Sequence, residues 1–137
     1  MKITADTNVL VRALTSDDAR QSKIAQAQLA NADVVALTLP ALCELVWVLS
    51  QGYKIPSAAI AEAIRRLVNS GNVAVNRPAV ECGLALLDAG GDFADGIIAY
   101  EGNWLGGEIF TSFDKKAVKL MAARGESVCL LSQGAPT

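Results

Sequence analysis

Carboxylates occur in this sequence at several positions where a purely structural role is least expected. They are Asp6, Glu44, Asp92, Asp95 and Asp114. Like charges gathered in one crevice repel one another unless a cation binds them. Oxygen ligands without His or Cys favour Mg²⁺ or Mn²⁺ over Zn²⁺, and such ions activate water at a phosphoryl centre. Taken together, the acids predict a divalent-metal site.

Each acid has a structural alternative when it is considered alone. Asp6, Asp92 and Asp114 lie where helix caps or turns are expected. Glu44 lies in the apolar run LCELVWVLS, so we expect it to have no exposed face. A carboxylate buried in this way must be neutralised, paired across the fold or bound to a cation. The alternative for Glu44 is a structural salt bridge.

The chain contains no histidine. This excludes histidine acid/base pairs, Ser-His triads and histidine metal sites. There is also no G-x-G-x-x-G or G-x-x-x-x-G-K-[ST] motif, which argues against the common nucleotide-binding sites. Hydrolytic chemistry must therefore use carboxylates, hydroxyls or metal.

The acids are positioned by a chain in which predicted strands and helices alternate. A short buried strand is expected at residues 2–6 and further strands at 34–37, 72–75, 108–112 and 127–131, with helices between them. This order predicts an α/β fold, a three-layer α/β/α arrangement around a central parallel sheet of about five strands. Ligands of such sheets bind beyond the carboxyl ends of the strands, where Asp6 and Asp114 are expected.

The length of 137 residues indicates one domain. We assign residues 1–132 to it and expect 133–137 to be a flexible tail. No apolar run approaches the roughly 20 residues that a membrane-spanning helix needs. Met1 and Lys2 lead directly into the first strand, which leaves no room for a secretory signal. A cytoplasmic location without membrane attachment is expected.

Four segments in a characteristic order resemble the PIN domain. They are I-x-A-D-T-N at 3–8, L-P-A-L-C-E at 39–44, D-F-A-D-G-I-I-A at 92–99 and T-S-F-D at 111–114. The short form is similar to the VapC toxins of bacterial toxin–antitoxin pairs. The resemblance implies a metal-dependent endoribonuclease with an acidic quartet of Asp6, Glu44, Asp95 and Asp114.

The resemblance also implies supporting residues, a substrate and partners. Asp92 matches an accessory acidic position and is an additional candidate metal ligand, while Asn8, Thr111 and Ser112 match polar residues around the site. Members of this family cleave structured RNA such as tRNA or rRNA. With Mg²⁺ or Mn²⁺ and metal-activated water, the expected ends are 5′-phosphate and 3′-hydroxyl. A VapB-type antitoxin and a homodimer are the expected partners, and an apolar fraction of 52% is consistent with a covered surface.

One departure from the family pattern is Gly96, which follows Asp95 where an alanine or a similar helix former is usual. A glycine inside a helix costs up to about 1 kcal/mol relative to alanine. We therefore expect it to loosen this turn.

Binding of RNA also requires cations near the acids. The net charge of −2 argues against a generally basic surface. Lys115, Lys116, Lys119 and Arg12 are the candidates for a local basic patch, and a solvated helix face is the alternative. Trp47 and Trp104 are candidates for base stacking, although packing in the core or in an antitoxin groove is favoured.

Other functions remain open from the residues alone. A Mg²⁺-dependent phosphatase is disfavoured because the sequence Asp6-Thr7-Asn8 lacks a second aspartate two residues after the first. A Mg²⁺-dependent DNA nuclease would need more basic surface. A catalytically silent module that keeps the PIN fold for binding would have no reason to keep all of the acids.

Overall fold

Short strands and helices alternate along the chain in the predicted order. The protein is described by a computed structural model, which covers residues 1–132. The strands are β1 (Lys2–Thr4), β2 (Val34–Ala36), β3 (Val73–Ala74), β4 (Phe110–Ser112) and β5 (Val128–Leu130). The helices are α1 (Thr7–Leu14), α2 (Ala19–Asn31), α3 (Leu39–Trp47), α4 (Ser57–Val68), α5 (Arg77–Asp88), α6 (Phe93–Trp104) and α7 (Lys115–Ala123).

Strands end early where a capping residue begins the next helix. β1 was expected to reach Asp6 but ends at Thr4, because the Asp6 side chain caps α1. β2 likewise ends at Ala36, two residues before Thr38, whose hydroxyl accepts the Ala41 N–H and caps α3. A side chain that accepts a hydrogen bond from a free helix N–H group fixes the start of the helix, so the preceding strand ends before it.

The chain divides into two compact units, Met1–Arg77 and Pro78–Thr137. In the first unit, β1, β2 and β3 form a parallel sheet with β2 in the middle, and Ile3 lies beside Val35 in register. Its core contains the fully buried Leu10, Leu42, Leu45, Ile60 and Ile64. These residues come from α1, α3 and α4, so burial of their apolar faces fixes the helix starts that follow β1 and β2.

Helix α3 continues into a π-helical turn, Val48–Gly52. The backbone N–H of Tyr53 closes this turn on the Val48 carbonyl at 3.1 Å. Lys54 follows with a φ of 56°, in the left-handed region that non-glycine residues seldom adopt. The segment therefore has a specific, uncommon backbone.

In the second unit, β4 pairs in parallel with β5, with Thr111 opposite Cys129. Phe93, Leu84, Leu86 and Met121 are buried there. Gly96 of α6 lies directly against α5, because a Cβ added to it would be only 2.3 Å from the Cys82 carbonyl oxygen. Our expectation that Gly96 loosens the turn is therefore wrong, since this glycine permits close packing of two helices.

All five predicted strands are present among residues 1–132, and all pair in parallel. They form one three-stranded and one two-stranded sheet, whereas a single sheet of about five strands was expected. The positions of the strands can be predicted from hydrophobicity. Strands of only two or three residues do not indicate which other strands they pair with. The assignment of 1–132 to one domain and the three-layer arrangement stay predictions, and the expected tail at 133–137 lies outside the described residues.

No helix within residues 1–132 is long and apolar enough to cross a membrane.

Candidate active site

Two of the predicted acids, Asp6 and Glu44, line one cavity of the first unit. Oδ1 of Asp6 accepts the Thr7 backbone N–H at 2.9 Å, and the Thr7 hydroxyl donates to Oε2 of Glu44 at 3.1 Å. The cavity has a volume of about 380 Å³, and Asn8 also lines it. Thr7 therefore joins a carboxylate that follows β1 to one on α3.

Glu44 is exposed, so the expectation that it has no exposed face is wrong. The apolar residues of α3 that are buried include Leu42 and Leu45, which leave Glu44 on an open face. Trp47, three residues further along, is 67% exposed on the same helix. The apolar neighbours of Glu44 in the sequence led us to expect more burial of this helix than the structure shows. Because Glu44 is exposed, it needs no partner to offset the loss of water.

The second unit holds the other acids at the starts of two helices. Asp92 caps α6, accepting the Ala94 N–H at 3.0 Å. Asp114 caps α7 through Oδ1, which accepts the N–H groups of Lys116 at 3.0 Å and Ala117 at 3.2 Å. These bonds are the cap role considered as an alternative for each acid, and they fix each carboxylate in one orientation.

Polar neighbours hold Asp114 in turn. The Ser112 hydroxyl accepts the Asp114 backbone N–H at 2.9 Å. Thr111 is exposed, and its hydroxyl donates instead to the Ile109 carbonyl at 3.1 Å. Of the two polar residues predicted here, Ser112 contacts a predicted acid and Thr111 stabilises its own strand end.

Asp95 is half-buried in the first turn of α6. Burial raises the pKa of its carboxyl, and the negative charges of Asp92 and Asp114 raise it further. The charges of Asp92 and Asp114 therefore lie near enough to Asp95 to disfavour its ionised form. A bound cation would reverse that effect by favouring the ionised form.

The predicted cations of α7 are all solvent-exposed: Lys115, Lys116 and Lys119. Lys115 and Lys116 occupy the first turn, at the positive end of the helix dipole, where lysine is electrostatically disfavoured. Arg12 of the first unit is half-buried and lines the cavity of Asp6 and Glu44.

The tryptophans are not core residues, contrary to one of the favoured interpretations. Trp47 is 67% exposed and Trp104 is 76% exposed. Both indole rings are therefore available to a partner or a ligand, which would bury their apolar surface on binding.

The donor chemistry of the acids fits a hard divalent cation. None of the five forms an ion pair with Lys or Arg in the part of the chain that the structure describes. Asp6 and Asp114 each use only Oδ1 in capping, which leaves Oδ2 for another ligand. Within residues 1–132, no group of three or more Asp, Glu or Cys side chains is gathered closely enough to form a complete metal site. A carboxylate offers only oxygen to a metal, which suits Mg²⁺ or Mn²⁺.

Sequence reasoning missed three residues of the first unit. Thr7 contacts Glu44, and Tyr53 lines the same cavity. The Tyr53 hydroxyl donates to Oδ2 of Asp17 at 2.8 Å. The position of Thr7 directly after Asp6 was a usable indication, but contacts across 36 or 37 residues leave no local pattern.

One known protein family matches this sequence. The sequence model of the PIN domain matches residues 3–122, which include every predicted site residue. A search of curated proteins found no significant match. PIN domains are generally metal-dependent nucleases, which supports a hydrolase. Since the match covers most of the chain, this protein belongs to the PIN domain family.

Proposed function

We propose that this protein is a Mg²⁺- or Mn²⁺-dependent endoribonuclease, and that it acts as a VapC-type toxin. The observation that carries the proposal is Asp95, a half-buried carboxylate without an ion pair to Lys or Arg among residues 1–132, whose pKa is raised by burial and then by the charges of Asp92 and Asp114. A carboxylate perturbed in this way is typical of functional sites, and a bound cation would favour its ionised form. The proposed ligands are Asp6, Glu44, Asp95 and Asp114, with Asp92 as an additional candidate.

The chain's own residues have separate roles in this proposal. The capping bonds of Asp6 and Asp114 orient their carboxylates, and Thr7 orients Glu44. A bound divalent cation supplies Lewis acidity for hydrolysis of a phosphodiester to 5′-phosphate and 3′-hydroxyl ends. Because the chain contains no histidine, no imidazole takes part in proton transfer.

Exposed lysines support RNA as the substrate. Lys115 and Lys116 lie against the dipole preference of α7, which an RNA phosphate near the helix start would offset. Structured RNA such as tRNA or rRNA is the proposed target, which places the action in the cytoplasm.

Exposed apolar side chains support the proposed partners, a VapB-type antitoxin and a second copy of the chain. In the second unit, Ile98 is 58% exposed, Trp104 76%, Leu105 89% and Ile109 59%. Ile98 and Ile109 line a cavity of about 260 Å³. Apolar side chains concentrated in this way are typical of surfaces that a protein partner covers.

The test is inducible expression of the wild type and of Asp6→Asn in cells, followed by mapping of RNA 5′ ends. Asparagine keeps the acceptor that caps α1 but removes the charge, so the fold is retained. We expect growth arrest and new 5′-phosphate ends with the wild type only.

Asp18→Asn is the matched control. Asp18 is also a helix cap: it begins α2, accepts the Gln21 N–H at 3.0 Å, and lies outside the proposed ligand set. It should behave as the wild type. Identical growth and identical RNA ends in the wild type and Asp6→Asn would contradict the proposed function.

A further inference from the structure

Asp17 is a hydrogen-bonding centre in the first unit. Its Oδ1 accepts from Arg12 Nη1 at 3.2 Å and from the Thr15 hydroxyl at 3.1 Å, and its Oδ2 accepts from the Tyr53 hydroxyl at 2.8 Å. These bonds, chiefly that from Tyr53, lower the pKa of Asp17. One carboxylate thus fixes both a guanidinium and a phenol.

Arg12 and Tyr53 line the same cavity as Asp6 and Glu44. Tyr53 also lines a second cavity of about 510 Å³, together with Asp17 and Thr15. The Asp17 carboxylate therefore holds two side chains of the wall that adjoins the proposed metal ligands.

The backbone around Tyr53 fixes its position independently. Tyr53 directly follows the π-helical turn Val48–Gly52, and Lys54 has a φ of 56°. Ile55 then donates its N–H to the Leu49 carbonyl at 3.0 Å. Uncommon backbone of both kinds occurs frequently at functional sites. The π-helical turn and the left-handed Lys54 on either side of Tyr53 thus hold this residue in a defined position.

A role in stability alone does not account for this arrangement. The Asp17 and Arg12 side chains are 53% and 36% exposed, and exposed ion pairs contribute little to stability. An Arg12 without this tether would lie beside two unpaired carboxylates and could neutralise them. Its attachment to Asp17 keeps the guanidinium on the wall and leaves Asp6 and Glu44 open.

We propose that Asp17 is a positioning residue that holds Arg12 and Tyr53 for contact with an RNA strand. The contact would be made at the cavity that Asp6 and Glu44 line, which we call the acidic cavity. Only one nitrogen of Arg12 bonds Asp17, so its other N–H groups are available to a backbone phosphate. The Tyr53 hydroxyl is engaged, and its ring offers a face for stacking on a base. The inference rests on the proposed function and names how that site binds its substrate.

The test is binding of a fluorescein-labelled single-stranded RNA in EDTA, measured by anisotropy with the full chain. Asp17→Asn and Tyr53→Phe each break the Tyr53–Asp17 bond or weaken it, and we expect Kd to rise roughly 3-fold or more. Tyr53→Leu also removes the stacking face and should raise Kd by roughly 5-fold or more. Arg12→Gln should also reduce the slope of log K against log salt by about 0.7.

Two further readouts separate positioning from a structural role. Affinity for Mn²⁺ alone and the Tm should stay at the wild-type values in Asp17→Asn and Tyr53→Phe. Glu62→Gln is the control, since it breaks the exposed Arg66–Glu62 pair of α4, and neither residue lines the acidic cavity. It should leave Kd unchanged.

Unchanged Kd in both Asp17→Asn and Tyr53→Leu would overturn the inference, as would a loss of RNA binding matched by an equal loss in Glu62→Gln. The proposed function fails differently. A wild type that binds RNA through these residues but does not cleave it with Mn²⁺ would contradict the nuclease and support the contact.

Discussion

Asp95 is the proposed ligand whose ionised form is disfavoured in the folded protein. Its raised pKa means that the folded chain binds a proton at Asp95 more tightly than the unfolded chain does. Without metal, stability should therefore fall as pH rises from the ordinary value of 3.8 through the raised pKa. Above that interval the ionised carboxylate destabilises the fold, and a bound cation would remove this penalty.

Asp95→Asn should consequently raise the Tm of the metal-free protein at pH 7. A rise of a few degrees is expected, since about 1 kcal/mol corresponds to roughly 4 °C in a chain of this size. Calorimetry in EDTA measures it, and Glu101→Gln, an exposed change on the same helix, should leave Tm unchanged. A lower Tm in Asp95→Asn would show that this carboxylate is structural.

Asp114 combines a cap with a proposed ligand, and two substitutions separate these roles. Asp114→Asn keeps an acceptor for the Lys116 and Ala117 N–H groups and should retain stability, while Mn²⁺ affinity falls. Asp114→Ala should lose Mn²⁺ affinity and also about 1 kcal/mol of folding free energy. Calorimetric titration with Mn²⁺ and urea unfolding measure the two effects. Equal Mn²⁺ affinity in the wild type and Asp114→Asn would remove Asp114 from the ligand set.

Helices α5 and α6 pack so closely that a glycine decides their spacing. A Cβ on Gly96 would meet the Cys82 carbonyl carbon at 2.6 Å as well as its oxygen, and backbone atoms cannot move aside cheaply. Gly96→Ala should therefore destabilise the protein by about 1–3 kcal/mol, as overpacking does, in spite of the better helix propensity of alanine. Urea unfolding measures the change.

Gly102 provides the matched control on the same helix. Apart from its chain neighbours and the backbone of its own helix, no atom of residues 1–132 lies within 4 Å of a Cβ added there, so Gly102→Ala should stabilise the protein by about 0.5–1 kcal/mol. A Gly96→Ala variant that is as stable as Gly102→Ala would contradict the close contact between α5 and α6.

Helix α7 presents the lysines that we expect to contact RNA phosphates. Lys115→Gln and Lys119→Gln should each weaken RNA binding and reduce the salt slope by about 0.7 for a single strand. Lys23→Gln, an exposed lysine of α2, should change neither quantity. Anisotropy titrations at several salt concentrations measure both, and a solvated helix face without function would leave all three variants alike.

Hydrophobic periodicity and capping residues were enough to place the helices and strands of residues 1–132. The same local rules predicted the helix starts at which Asp6, Asp92 and Asp114 lie, because an N-cap is defined by its immediate neighbours. They failed at Glu44, whose exposure depends on which side of α3 the rest of the fold covers. They failed also at Gly96 and at Tyr53, whose contacts join distant parts of the sequence.

The molecule as a whole carries little net charge, at −2, but distributes its charges unevenly. Acids that lack basic partners lie in both units, exposed lysines lie on α7, and exposed apolar residues lie on α6 and beside β4. These features support the proposed function, in which a PIN domain nuclease binds metal and RNA and a protein partner covers its apolar surface.

Metal-dependent cleavage of RNA by the purified chain is the most direct test of this account. An end-labelled structured RNA is incubated with the wild type, Asp95→Asn and Asp18→Asn, each with Mn²⁺ or with EDTA. We predict cleavage to 5′-phosphate and 3′-hydroxyl ends by the wild type and Asp18→Asn in Mn²⁺, no cleavage in EDTA, and a rate at least about 100-fold lower in Asp95→Asn. Cleavage that continues in EDTA, or an Asp95→Asn variant as active as the wild type, would contradict it.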